Sequence, residues 1–196
     1  DACDLLVTTL DCGYLTGKEI VRITPYFTIK DKYNLQMKLD TILIERKKQV
    51  LRDYFQVFFC SSLFMIKDEP MDEVACMKEM AQKMQKEGYV YEDFYDCLLA
   101  RDSAASVAFG NFAIPHSMKS NAIKTGISVL IHHTGISWHE KRVLIVFTVA
   151  INRADVELYT ELFEALIEVL SDEDSLKKLA DSCSYQEFTQ KFLSVI

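Results

Sequence analysis

The chain has no surplus of positive charge. Its 22 Lys and Arg stand against 29 Asp and Glu, a formal net charge of −7. Surfaces that bind nucleic acid need clustered Lys and Arg against phosphate, so direct nucleic-acid contact by this segment is not expected. Nor is there an apolar run approaching the roughly 20 residues that cross a bilayer, which argues against membrane insertion. No signal-peptide pattern opens the chain, and it shows no internal repeat or low-complexity segment. Six cysteines occur, at 3, 12, 60, 76, 97 and 183, but none forms a C-x-x-C pair and the spacings fit no common zinc site. They predict reduced, mostly buried thiols in a cytoplasmic protein, with neither a disulfide framework nor a metal site. What the chain does have is apolar content: 49% of 196 residues is hydrophobic, enough to bury a core in one domain or one and a half. Residue 1 is Asp, which fits a piece of a longer protein.

Periodicity divides the chain into elements. Asp4–Leu10 and Glu19–Thr24 read as strands, the first turning at Asp11-Cys12-Gly13 and the second ended by Pro25. From Asp31, Leu35, Leu39, Ile42 and Leu43 recur at helical spacing and run into the charged stretch Glu45-Arg46-Lys47-Lys48, where a domain boundary is expected between residues 48 and 49. Asp72 can cap a helix with Val74, Met77, Ala81 and Met84 on one face and Gly88 as its stop. A second helix over Tyr91–Ala100 follows. Strands are predicted over Asn111–Ile114, Gly126–Ile131 and Arg142–Ile151, the last a run apolar enough to be covered on both faces. The tail is helical: Leu158, Leu162, Leu166, Val169 and Leu170 form one stripe, Leu176, Leu179 and Ala180 another, and Ser184 with Glu187 a capping box. Helices, then strands, then helices predict an α/β fold with a sheet between helical layers.

One stretch carries chemistry. Gly110-Asn111-Phe112-Ala113-Ile114-Pro115-His116-Ser117 sets a histidine directly after a proline at the end of a short apolar run. Pro115 cannot donate to a ladder, so the strand should close there and leave His116 at its exit, firmly held yet meeting solvent. An imidazole so placed is a competent nucleophile near neutral pH. Arg101, fifteen residues upstream at a helix end, can bind phosphate bidentately. Asp155, in the turn after the long strand, either holds one ring nitrogen of His116 or simply caps the following helix. His132 and His133 are adjacent on a strand and point to opposite faces, so they do not jointly chelate. They and His139 read as structural or surface groups, and Trp138 as a packing residue.

These residues carry a resemblance. Leu98-Leu99-Ala100-Arg101-Asp102, Phe109 through His116, Gly135-Ile136-Ser137-Trp138 and the Val143–Ile151 strand resemble the mannitol/fructose-type enzyme IIA domain of the bacterial sugar phosphotransferase system, over roughly Phe55 to the C-terminus. The resemblance implies a mixed β-sheet sandwiched between helices across residues 49–196. It implies that His116 is the phosphoryl acceptor, taking the group from the phosphocarrier protein HPr and passing it to a cysteine of an enzyme IIB domain, in cis or in trans. Arg101 then binds the phosphoryl oxygens, and no cofactor is required. Phe112, Ile114 and Met118 are candidates for an apolar HPr-docking patch. The chain departs from the family pattern at Asp155, where many members have a second histidine, and at Ala104 and Ala105, where Ser or Thr is common.

Residues 1–48 resemble the C-terminal half of an enzyme IIB-like domain of the galactitol kind. A IIB-like half followed by a IIA domain resembles the C-terminal end of transcriptional regulators and antiterminators that carry phosphotransferase-regulated (PRD) modules. Cys12-Gly13-Tyr14-Leu15-Thr16-Gly17 looks superficially like a phosphocysteine loop, but no helix of useful length follows it before the next strand. The resemblance thus implies a phosphohistidine module of a regulator. A transport phosphocarrier and a docking domain that has lost the chemistry are the alternatives, and a homodimer is one assembly open to it.

Overall fold

Alternation along two long strands organises the structure, a computed structural model that describes residues 4–12, 19–119 and 122–196. Strands β1 (Leu5–Thr8) and β2 (Glu19–Arg22) pair in parallel as a separate two-stranded sheet. Helix α1 (Ile29–Phe58) follows, and then β3 (Phe59–Ile66), α2 (Glu73–Lys86) and α3 (Phe94–Ala104). Next come β4 (Ala108–Phe109), β5 (Phe112–Ala113), β6 (Gly126–Trp138) and β7 (Lys141–Ala150). Helices α4 (Val156–Ser171), α5 (Glu173–Ala180) and α6 (Tyr185–Val195) complete the chain. The main sheet has the order β3-β6-β7-β5-β4. It is mixed: β3 pairs parallel to β6 and β5 parallel to β7, while β6–β7 and β4–β5 are antiparallel.

Side chains alternate across the pleat, so β6 and β7 feed two cores. Ile127, Val129, Ile131, Ile145, Phe147 and Val149 pack with the end of α1 and with α4, α5 and α6. Leu130, Val143, Val146 and Ala150 face α2 and α3. The result is the expected helix–sheet–helix sandwich. On the first face Phe55, Phe59, Phe147, Phe188 and Phe192 form a cluster of rings with centroid separations of 4.7 to 6.5 Å, a range in which offset and edge contacts add to burial.

Helix α1 starts on a capping box. The Thr28 hydroxyl accepts from the Asp31 amide, and the Asp31 carboxylate accepts from the Thr28 amide at 2.7 Å and from the Thr24 hydroxyl at 2.6 Å. The Thr24 and Thr28 bonds hold the Asp31 carboxyl down at about 2. The helix then runs 30 residues, continuously through positions 48 and 49, and ends at Phe59 with neither Gly nor Pro. That seamless join explains why β3 carries no sequence signal: a strand with Ser61 and Ser62 inside it begins where the helix stops. At α2 the expected cap holds, since Asp72 accepts from the Ala75 amide at 2.8 Å and Gly88 adopts φ 73°. Val74, expected on its apolar face, is exposed instead. At α6 Ser184 caps Glu187, but the Glu187 carboxylate returns to the Cys183 amide, one residue before the position a capping box requires.

Cys76 and Cys97 are buried, Cys12 and Cys60 half-buried and Cys183 exposed. Cys3 and residues 13–17 of the stretch weighed as a phosphocysteine loop lie outside the described residues. No described helix is long and apolar enough to cross a membrane.

Phe59 touches four other rings at the join of α1 and β3. Phe59→Ala is expected to reduce unfolding free energy by about 3–5 kcal/mol in urea titration. The neighbouring exposed Val57→Ala should stay within about 0.5 kcal/mol of the parent.

Candidate functional site

The site forms where β5 gives out beside β7. Pro115 has no N–H, yet its carbonyl accepts from the Val149 amide at 2.8 Å. The chain therefore continues alongside β7, and His116 makes an isolated parallel bridge to Val149. This fixes the backbone of His116 against the central strand. Its side chain is mostly buried, at 8% exposure, and is less open to solvent than a strand exit suggests.

Both ring nitrogens are engaged. Nδ1 lies 2.9 Å from the Ile114 carbonyl oxygen. A carbonyl only accepts, so Nδ1 carries the proton. Nε2 accepts from Arg101 Nε at 3.3 Å, so it is unprotonated. The two bonds select one neutral tautomer with its lone pair on Nε2, facing a guanidinium. Burial lowers the His116 pKa from its ordinary 6.5, and the Arg101 charge lowers it further, against an upward push from the Ile114 bond.

Arg101 comes from the last turn of α3. Its Nη1 donates to the Ala105 carbonyl at 2.8 Å, so the guanidinium is held at its base while facing the imidazole. Beside it opens a cavity of about 650 Å³ lined in part by Cys97, Ala104, Ala105, Ser117, Met118 and Lys119. Lys119 lies 3.6 Å from Asp93. Two rings of α4 also stand against the imidazole: Phe163 edge-on with centroids 5.3 Å apart, and Tyr159 at 6.0 Å. Burial pushes the Tyr159 hydroxyl upward in pKa, so it stays protonated. Neither aromatic was singled out from the sequence. The signal was present, because 155, 159 and 163 are spaced by four and share a helix face.

Asp155 requires a correction. Its carboxylate accepts from the Thr125 hydroxyl at 2.5 Å, and the same Thr125 oxygen accepts from the Asn152 amide. The ring N–H of His116 goes to Ile114, so the orienting group is a backbone carbonyl and not this acid. Asp155 does stand at the cap position of α4, but without a side-chain cap bond. The expected docking patch changes too: Phe112 and Ile114 belong to the core, and of the three only Met118 is exposed.

The other histidines sit elsewhere. His132 is buried and bonds the Glu69 carbonyl, while His133 meets the Asp68 carboxylate on the opposite face. His139 lies in the β6–β7 turn. Among the described residues no group of three or more His, Cys, Asp or Glu could hold a metal ion.

The site is thus a buried neutral imidazole whose Nε2 lone pair meets an arginine, within a mixed α/β sandwich. Residues 58–194 match the family described as phosphoenolpyruvate-dependent sugar phosphotransferase system, EIIA 2, and the chain belongs to that family. It is 26% identical over 165 residues to the "Probable licABCH operon regulator" of Bacillus subtilis, covering 80% of this chain and 24% of that protein. It is 24% identical to the mannitol-specific phosphotransferase enzyme IIA component of Halalkalibacterium halodurans, covering 67% and 92%. The chain thus spans about a quarter of the regulator and most of the mannitol component. The fold matches the crystal structure of IIA mannitol from Escherichia coli at a TM-score of 0.59 and 18% identity, over 69% of this chain and 99% of that one.

In an NMR titration His116 should ionise below 6.5, and Arg101→Ala should raise that value. Because the unfolded chain binds more protons between the folded pKa and 6.5, His116 contributes stability that is present above 6.5 and lost as pH falls through the folded value. The stability of the parent relative to His116→Gln should therefore rise with pH across that window in denaturant titrations.

Proposed function

We propose that this chain is a regulatory phosphohistidine module of a transcriptional regulator or antiterminator, acting in the cytoplasm, with His116 phosphorylated by HPr to report sugar availability. The observation that carries the chemistry is the 3.3 Å contact between Arg101 Nε and an Nε2 whose tautomer is fixed by Ile114. Phosphoryl transfer depends mostly on positioning and on neutralising charge. Nε2 attacks the phosphorus of the donor phosphohistidine as the donor N–P bond breaks. The proton on Nδ1 stays in place, and the positive charge that develops on the ring is shared with the Ile114 carbonyl. Arg101 turns from the ring nitrogen to the phosphoryl oxygens.

The regulatory half of the reading is supported by how the N-terminal part is attached. Helix α1 begins beside β2, with Lys38 at 2.5 Å from Glu19, and packs along α4, with Lys47 at 3.6 and 3.8 Å from Glu164 and Glu168. Helix α4 also carries the two rings that wall in His116. A group bringing a charge of about −2 therefore arrives next to the helix on which α1 rests. We take residues 1–48 as a IIB-like unit and 49–196 as the IIA domain, joined through α1. The likeness to an operon regulator supports the same assignment. The near-complete coverage of a mannitol enzyme IIA component favours a second reading, a transport phosphocarrier that hands the group on to an enzyme IIB.

Incubation with purified enzyme I, HPr and labelled phosphoenolpyruvate should label the chain, and His116→Ala should abolish the label. Arg101→Ala should slow labelling roughly 10²–10³-fold while leaving the fold intact by circular dichroism. An unlabelled parent beside a labelled control IIA domain would overturn the assignment. Transfer of label onward to an enzyme IIB at a comparable rate would favour transport over regulation.

A further inference from the structure

We propose that Asp102 is a positioning residue that holds the guanidinium of Arg101 and the imidazole of His116 in mutual register. The proposal rests on the reading that His116 accepts a phosphoryl group, and adds a residue to that site.

Asp102 follows Arg101 on α3, and the helical turn sends the two side chains in different directions. Arg101 enters the site, whereas Asp102 enters the protein and is only 5% exposed. A carboxylate there is unfavourable twice over. It is buried, and it lies in the last turn of a helix, where the dipole is negative. Three donors from two other segments offset this. Oδ1 accepts from the Val107 amide at 2.9 Å and from Trp138 Nε1 at 3.2 Å, and Oδ2 lies 2.9 Å from His139 Nε2. His139 sits in the β6–β7 turn at φ 49°, a left-handed conformation that costs a non-glycine residue steric strain. Its Nδ1 also lies 3.4 Å from Glu73 in the first turn of α2. The turn is thereby tied to the start of one helix and the end of another.

The consequence lies in where the Val107 bond leads. The Val107 carbonyl accepts from the Ile114 amide at 3.0 Å, and the Ile114 carbonyl accepts from His116 Nδ1 at 2.9 Å. Asp102 is thus linked to the carbonyl that fixes the nucleophile's tautomer by three hydrogen bonds in series across two residues, Val107 and Ile114, each held at its own amide and its own carbonyl, so the link is one of backbone position. The same carboxylate closes the loop that contains Ala105, whose carbonyl anchors Arg101 Nη1. One buried acid fixes the backbone under both reacting partners and touches neither of them.

The test combines transfer kinetics with the ring itself. In ¹⁵N NMR the parent His116 should be the neutral tautomer with Nδ1 protonated. Asp102→Ala should mix the two tautomers and lower the rate at saturating phospho-HPr roughly 100-fold, with KM little changed. Asp102→Asn keeps an acceptor for Val107 but turns an amide toward His139. It should lose about tenfold and keep the parent tautomer. The buried His132 reports whether each variant is folded. Should Asp102→Ala not fold, the Asn variant decides alone. A parent rate in the variants that fold, or an unmixed tautomer in a folded Asp102→Ala, would overturn the assignment, whatever the change in thermal stability. The tautomer readout needs no donor protein, so an unphosphorylated parent would defeat the proposed function while still testing the role of Asp102.

Discussion

Everything chemical in this structure depends on a histidine ring gripped at both nitrogens. A free imidazole divides its proton between two sites and is half-charged near pH 6.5. Here the Ile114 carbonyl takes the Nδ1 proton, Arg101 faces Nε2, and burial opposes protonation. None of these alone would suffice. Burial without the carbonyl would leave the tautomer open, and the carbonyl without burial would favour the imidazolium. Arginine opposite the lone pair excludes a second proton electrostatically and is already positioned for an anion arriving at the same atom. Group transfer gains from such prior orientation, because the entropy of alignment is lost in folding and not in the reaction.

The walls of the site explain how chemistry at one atom can reach a distant segment. Phe163 and Tyr159 come from α4, which packs on α1, and α1 leads to the β1–β2 sheet. Contiguity is a route and not a coupling. A coupling free energy requires two arrangements of α4 that the phosphoryl group distinguishes.

The architecture could be read in the sequence wherever a pattern stood alone. The long apolar β7, the Asp72 cap with Gly88 as its stop, and the α4 stripe each follow from periodicity or capping chemistry, and each is present. The proximity of Arg101 and His116 came from their pattern and not from spacing, since fifteen residues with a loop and two short strands between them fix no distance. What stayed hidden was hidden for physical reasons. β3 begins inside the momentum of a 30-residue helix without a breaking residue. Phe112 and Ile114 flank the histidine in sequence, but they face the sheet's core. The orienting group on His116 is a backbone carbonyl, which every residue possesses and no side-chain pattern can mark.

The acid at position 155 shows what replacing a histidine changes. Where the family resemblance suggests a second imidazole near the acceptor, the chain has a carboxylate, and a carboxylate facing an incoming dianion would repel it strongly in a dry site. The structure commits that carboxylate to Thr125, whose oxygen also receives the Asn152 amide. Asp155 therefore secures the joint between β7 and α4, and so the helix that carries Tyr159 and Phe163. On the proposed reading the neutralisation of a bound phosphoryl group falls first on Arg101, the cation in contact with the imidazole, with Lys119 standing further along the adjacent cavity beside Asp93.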